Sequence, residues 1–217
     1  MFIFPYRDET PHFRFPYITL LLISLNSLLF MMTTGPGMLE NLAPALGFTT
    51  RGAIERPYTL LTSIFLHANL LHLIANMWFL WLFGDNIEDR FGRLSFIGLY
   101  LSAGIIGSLT HSAFSLFQDR IPVIGASGAV AGVMGAYLIR FPYARLRCLF
   151  LIIFYPVLVR IRAVWVLGFW MFFEFLSAWF AAGDNVAHWA HVGGFATGIM
   201  WAVRQRKRYS IGYRWWE

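Results

Sequence analysis

Four polar side chains stand out because apolar sequence surrounds each of them: His72, Asn76, Ser127 and His191. Each type has a use in acyl transfer. A serine hydroxyl attacks an acyl carbon only when a neighbouring base takes its proton. The tetrahedral anion that forms needs hydrogen-bond donors aimed at it in a dry site. His72 and Asn76 stand four residues apart, so a helix would hold them on one face. Ser127 lies in Gly125-Ala126-Ser127-Gly128. A glycine break ahead of a helix lets the backbone approach closely and leaves free N–H groups at the helix start. Those groups and the positive end of the helix dipole favour an anion beside Ser127.

The elements that must position these residues follow from composition. Of 217 residues, 58% are hydrophobic and 13% charged, and the mean hydropathy is +0.60. A soluble domain carries about 25% charge. A soluble enzyme, a disordered chain and a secreted disulfide scaffold are excluded; Cys148 has no second cysteine to pair with. The expected class is all-α, a polytopic membrane protein. Six stretches reach the roughly 17–25 apolar residues that a membrane helix needs: Phe15–Met32, Leu66–Phe83, Leu94–Thr110, Val123–Ile139, Ala163–Ala182 and Ala187–Val203. No small-residue cleavage site follows the basic stretch that ends at Arg14, so no signal peptide is expected. Leu146–Val159 is apolar but short and holds Arg147 and Pro156. Treated as interfacial, it leaves six spans with fourteen of the seventeen Lys and Arg residues on the inner side and three outside. The positive-inside rule favours that arrangement, with both termini cytoplasmic in a cell membrane. The expected organisation is a short N-terminus, 1–14, a membrane domain, 15–203, and a basic tail, 204–217. The net charge of +6 does not imply a nucleic-acid partner, because the basic residues fall between spans. The loop 33–65 is expected to lie on or partly in the outer leaflet.

Spans two, four and six run in the same direction, from outside to inside. Ser127 and His191 each fall four residues into their spans, about 6 Å below the outer end, and His72 lies roughly 9 Å down. Gly128 and Gly132 in span four face a matching pair, Gly194 and Gly198, in span six. Such pairs let membrane helices approach closely and bring Ser127 towards His191. They are also common packing devices, and buried serines often bond to their own helix. From the residues alone, structure and catalysis stand as equal readings.

The motifs resemble those of the rhomboid family of intramembrane proteases. Gly125-Ala126-Ser127-Gly128 resembles its GxSG motif. Ala190-His191-Val192-Gly193-Gly194, with Gly198, resembles its AHxxGxxxG motif, and His72-Leu73-Ile74-Ala75-Asn76 its HxxxN motif. The segment from Gly84 to Gly92, with Glu88 and Arg90, resembles the family's loop between the second and third helices, and Arg7-Asp8-Glu9-Thr10-Pro11 the stretch before its first helix. The resemblance implies a six-helix rhomboid-like bundle and a serine endopeptidase acting on membrane-protein substrates near the outer face. It implies Ser127 as nucleophile, His191 as general base, and His72, Asn76 and the Ser127 N–H as oxyanion-hole donors. No carboxylate stands in the first two turns of the sixth span, so a Ser-His dyad oriented by packing is expected. Two positions depart from common family patterns. Ala131 replaces an aromatic residue that stacks on the histidine in many members, and Tyr58-Thr59 replaces a Trp-Arg pair.

Other polar and aromatic residues have blander expected roles. His188 is read as a residue of the loop–helix junction, and no metal or cofactor is expected, since no HExxH is present and a zinc site here lacks a carboxylate. Glu174, the one acid inside a span, is expected to hydrogen-bond a neighbouring helix. Glu88 is expected to pair with Arg90, His67 to be solvated or bonded to the outer loop, and Trp165, Trp179 and Trp189 to anchor at the interface. Phe172, Phe173 and Leu176 in the fifth span, with the loop Gly183–Trp189, are expected to gate substrate entry beside His72 and Asn76. The alternative function is an inactive rhomboid-like scaffold that binds transmembrane helices; such a protein is expected to lack the serine or the histidine. The lipid bilayer is an obligate partner, and the sequence is silent on oligomeric state.

Overall fold

The centre of the molecule is a short helix of small residues, α7 (Ser127–Arg140), in which every residue from Gly128 to Tyr137 is buried. The computed structural model describes residues 3–35, 37–115, 122–152, 155–180 and 186–206. Around α7 stand α1 (Tyr17–Thr33), α5 (Leu70–Phe91), α6 (Arg93–Phe114), α8 (Ala163–Phe180) and α9 (His188–Arg206). The glycine pairs read from the sequence explain the closest contact. A Cβ on Gly194 would run into the Gly128 carbonyl, and one on Gly198 into the Gly132 carbonyl, so α7 and α9 touch backbone to backbone.

Six helices, α1 and α5 to α9, overlap the six stretches expected as spans, with different lengths. α6 and α8 are each long and apolar enough to cross a membrane alone. α5 forms a third candidate together with α4 (Thr59–Thr62) and the 3-10 turn Ser63–Phe65, across a bend of 94°. The 14 residues of α7 rise only about 21 Å, against a hydrocarbon core of about 30 Å. Its first residue is Ser127, with Ala126 as N-cap. The serine therefore opens the helix instead of lying one turn inside it.

The all-α expectation is corrected by a three-stranded antiparallel sheet, ordered β1 (Ile3–Asp8), β2 (Arg145–Ile152), β3 (Tyr155–Arg162). The ambiguous segment Leu146–Val159 is a hairpin. Its physical basis is a period of two: Leu146 and Cys148 are buried between Arg145, Arg147 and the next outward residues. The N-terminal stretch supplies the third strand, and Glu9 just beyond it pairs with Arg147 at 2.7 Å and Arg160 at 3.1 Å.

The segment expected as a loop around Glu88 is helix as far as Phe91, where Gly92, with φ of 78°, turns the chain into α6. Glu88 does not pair with Arg90. It is buried and accepts hydrogen bonds from Ile18 N (2.9 Å), Thr19 N (2.7 Å) and Thr19 Oγ1 (2.9 Å). A carboxylate at the first turn of α1 satisfies N–H groups that have no intrahelical acceptor. The long loop 33–65 is also largely helical, with α2 (Met38–Leu46) and α3 (Thr50–Glu55) ahead of α4. It is tied together by Thr62 Oγ1 donating to Leu46 O at 2.6 Å and Arg56 Nη1 donating to Pro44 O at 2.8 Å.

Candidate active site

The approach to Ser127 is extended backbone. Val123 bridges to Phe48, and Gly125 N donates to Ser63 O at 2.9 Å. Gly125 has φ of +125°, a conformation that side chains rarely adopt, and a Cβ there would lie 2.6 Å from His72 Cε1. Glycine at this position thus lets the His72 ring rest on the serine loop. Within α7 the first intrahelical bond runs from Val130 N to Ala126 O. The N–H groups of Ser127, Gly128 and Ala129 stand free of helical acceptors, as an oxyanion site requires.

His72 and Asn76 share one face of α5, whose N-cap Asn69 accepts from His72 N at 2.8 Å. Asn76 is buried, and its Nδ2 donates to His72 O at 3.0 Å, which commits one of its two N–H groups. His67 is fully buried, not solvated, and its ring stands edge-on to His72 with centroids 5.2 Å apart.

His191 is the fourth residue of α9 and adjoins the glycine contact with α7. Its orientation does not come from packing alone. His191 Nδ1 lies 2.6 Å from Glu174 Oε2, and His188 Nδ1 lies 2.8 Å from the same oxygen. An ionised carboxylate only accepts, so both ring nitrogens facing it carry protons. The three side chains are 12–16% exposed. Sequence reasoning looked for an orienting acid along the histidine's own helix; the acid comes from α8, one helix away. Two signals pointed to it: Glu174 is the one acid inside a span, and His188 and His191 share a face by their three-residue spacing. Trp170 of α8 lies beside His191, ring centroids 6.0 Å apart, while Ala131 is buried within α7. Among the described residues no hydrogen bond joins Ser127 Oγ to His191. Such pairs commonly close only when substrate binds.

The residues expected at the gate are spread over α8. Phe172 and Phe173 are about half exposed, and Leu176 is half-buried. Phe172 lines an apolar groove of about 400 Å³ between α8 and α9, with Met171, Phe175 and Phe195. α8 packs mainly on α9, α7 and β3, not on α5. Residues 183–185 of the loop Gly183–Trp189 lie outside the described residues, as does the tail beyond 206. Trp165 and Trp179 are exposed as interfacial anchors would be; Trp189 is buried and stacks on Phe114 at 4.4 Å.

A family model for the rhomboid domain matches residues 55–208. The chain is 30% identical over 188 residues to a presenilin-associated rhomboid-like protein, mitochondrial, of Mus musculus, covering 82% of this chain and 46% of that protein. It is 32% identical over 178 residues to Rhomboid protein 1, mitochondrial, of Saccharomyces cerevisiae, covering 72% and 46%. It is 36% identical over 130 residues to Rhomboid protease GluP of Bacillus subtilis, covering 57% and 24%. The chain spans about half the length of the first two relatives or less. The family model covers well over half of the sequence, and around it stands a mostly helical bundle with candidate membrane spans: this multi-pass membrane protein belongs to the rhomboid family.

Proposed function

We propose that this protein is an intramembrane serine endopeptidase that cleaves transmembrane segments of other proteins near the outer face. Ser127 Oγ attacks the peptide carbonyl while His191 Nε2 takes its proton. The oxyanion receives the Ser127 N–H, the free N–H of Asn76 and a ring N–H of His72. The C–N bond breaks as His191 passes the proton to the leaving amine. Water then attacks the acyl-enzyme, with His191 again as base, and Ser127 regains its proton. The observation that carries this reading is the 2.6 Å contact between His191 Nδ1 and Glu174. It holds the proton on Nδ1 and leaves the Nε2 lone pair for the serine, so Glu174 is a positioning residue in a Ser-His-Glu arrangement. The test is labelling with a serine-directed activity probe in detergent. Wild type should label and Ser127→Ala should lose both label and cleavage; equal labelling of the two would sink the reading. A scaffold remains the rival function, and retention of both Ser127 and His191 argues against it.

We also propose six crossings with both ends of the membrane domain 15–203 on the arginine-rich side. The sheet gathers Arg7, Arg145, Arg147, Arg160 and Arg162 at one end of the bundle, which supports this. Cysteines near the sheet should label from the cytoplasmic side and cysteines in 38–55 from the other. The cell membrane is the first reading for location. The mitochondrial names of several relatives favour a mitochondrial membrane as a second, and fluorescence localisation separates them. α8 is the proposed gate, because it is the least buried of the two full-length candidate spans and does not pack on α5. Opening it must either break the Glu174–His191 contact or bend α8 on the Phe180 side of Glu174.

A further inference from the structure

The acid and the two histidines on α8 and α9 have a geometry beyond positioning. Glu174, His188 and His191 each offer one ligand atom, and the three atoms lie within 4.8 Å of one another. A carboxylate oxygen and two imidazole nitrogens are a common zinc donor set, with three protein ligands and one open position. Zinc takes nitrogen and oxygen at about 2.0–2.2 Å, which places neighbouring ligand atoms roughly 3.3 Å apart by tetrahedral geometry. The present separations from Glu174 Oε2, 2.8 and 2.6 Å, need to widen by about 0.5–0.7 Å, which small side-chain rotations supply. The expectation of no metal rested on the absence of HExxH and on the need for a carboxylate, and α8 supplies the carboxylate.

We propose that these three residues form a zinc site that inhibits the enzyme. The inhibitory role rests on the protease reading above; the site itself does not. Binding displaces the Nδ1 protons of His188 and His191 into solvent, and the ring lone pairs and Glu174 Oε2 go to the metal. A neutral imidazole that gives Nδ1 to a metal carries its remaining proton on Nε2. That is the nitrogen that must accept the Ser127 proton. Metal and catalysis therefore compete for one ring: with Glu174 as hydrogen-bond acceptor His191 is a base, and with zinc between them it is not. His188 is outside the proposed proton transfer, yet it supplies a third of the site.

The test starts from Ser127→Ala, purified in detergent without a histidine tag and titrated with Co²⁺. The visible d–d absorption of low-coordinate Co²⁺ should saturate at one equivalent, and Zn²⁺ should remove it. His188→Ala or Glu174→Gln, added to Ser127→Ala, should weaken binding at least about tenfold. Far-UV circular dichroism checks that each variant is folded, and His188→Gln replaces His188→Ala if that variant is not. No one-equivalent signal, or an unchanged titration in folded His188 variants, overturns the site. In the wild type, Zn²⁺ at the saturating level should stop cleavage, and a chelator should restore it. The same inhibition should need at least about tenfold more Zn²⁺ in His188→Ala. Full cleavage with the site saturated overturns the inhibitory role. A wild type that binds Co²⁺ as stated but cleaves nothing refutes the protease reading and leaves the metal site standing.

Discussion

α5 and α7 carry polar residues at both ends, and the two ends use them differently. At the sheet end, Glu88 accepts from three donors of α1. Asp8 accepts from Thr10 N and Oγ1, both at 2.8 Å, and from Asn86 Nδ2 at 2.7 Å. Thr10 Oγ1 and the Tyr137 hydroxyl of α7 are 2.9 Å apart. These carboxylates are consumed in joining β1, α1 and α5. At the Ser127 end, glycine lines the contacts, Asn76 keeps an uncommitted N–H, and Ser127 Oγ bonds to nothing among the described residues. The larger cavity, about 580 Å³ and lined by Asp8, Asp85, Asn86 and Arg147, is at the sheet end. Neither polarity nor cavity size sets the Ser127 end apart; uncommitted donors beside a glycine-lined backbone do. A saturated carboxylate stabilises the fold, and a polar group left unsaturated is available to a substrate.

On the proposed mechanism the largest effect should come from Glu174, the acid bonded to His191. Glu174→Gln can present an amide N–H to His191 and favour the wrong tautomer. In soluble triads the comparable change costs about 10⁴ in kcat. Here kcat should fall on the order of 10²–10⁴, with KM little changed and the pH profile displaced. Glu174→Asp should recover part of the loss. An unaltered pH–kcat profile in Glu174→Gln would make the acid structural, like Glu88. Asn76→Ala comes next, with kcat down by about 10²–10³ if its N–H meets the oxyanion. Normal turnover in that variant would take Asn76 out of the site.

Glu88→Ala should do the reverse. It strips the acceptor from three buried donors, and each unsatisfied buried group costs about 1–3 kcal/mol. Thermal unfolding in detergent should shift clearly downward while kcat, measured well below the midpoint, stays near wild type. A Glu88 variant that unfolds normally but cleaves poorly would erase the distinction between the two ends.

What the sequence revealed follows the same division. The four polar residues were legible because each interrupts apolar sequence, and their glycine neighbours announced the helix contact. The helices that overlap the six apolar stretches were legible from hydropathy. The sheet was missed although its alternation was present: Arg145 and Arg147 bracket Leu146, and Arg160 and Arg162 bracket Ile161. A window tuned to membrane helices averages a period of two into moderate hydropathy. Glu88 was misread because its partners lie 69 and 70 residues away in sequence. The bond of Glu174 to a neighbouring helix was foreseen, but its partners His188 and His191 were not, because they lie across a loop. Pairings between helices are tertiary facts, and a search along one helix cannot reach them.

The smallest effect concerns acid stability at the sheet end, where two neighbouring carboxylates are pushed in opposite directions. Its hydrogen bond from Arg147 lowers the Glu9 pKa below the ordinary 4.5, while burial raises that of Asp8 above 3.8. For Glu9 the folded pKa is the lower one. As pH falls the unfolded chain takes up the proton first, so its stabilisation is present above about 4.5 and is lost as pH falls through the folded value. For Asp8 the folded pKa is the higher one, and acid should favour the folded state instead. The two trends overlap in the wild type and partly cancel. Comparison with Glu9→Gln isolates one of them, since Asp8 titrates in both proteins. The unfolding midpoint of wild type should exceed that of Glu9→Gln slightly at neutral pH, and the gap should close as pH drops below the Glu9 range. High salt should narrow the gap as well, because the pair is partly exposed. A gap that persists unchanged into strong acid would mean that Glu9 acts through packing and not through its charge on Arg147 and Arg160.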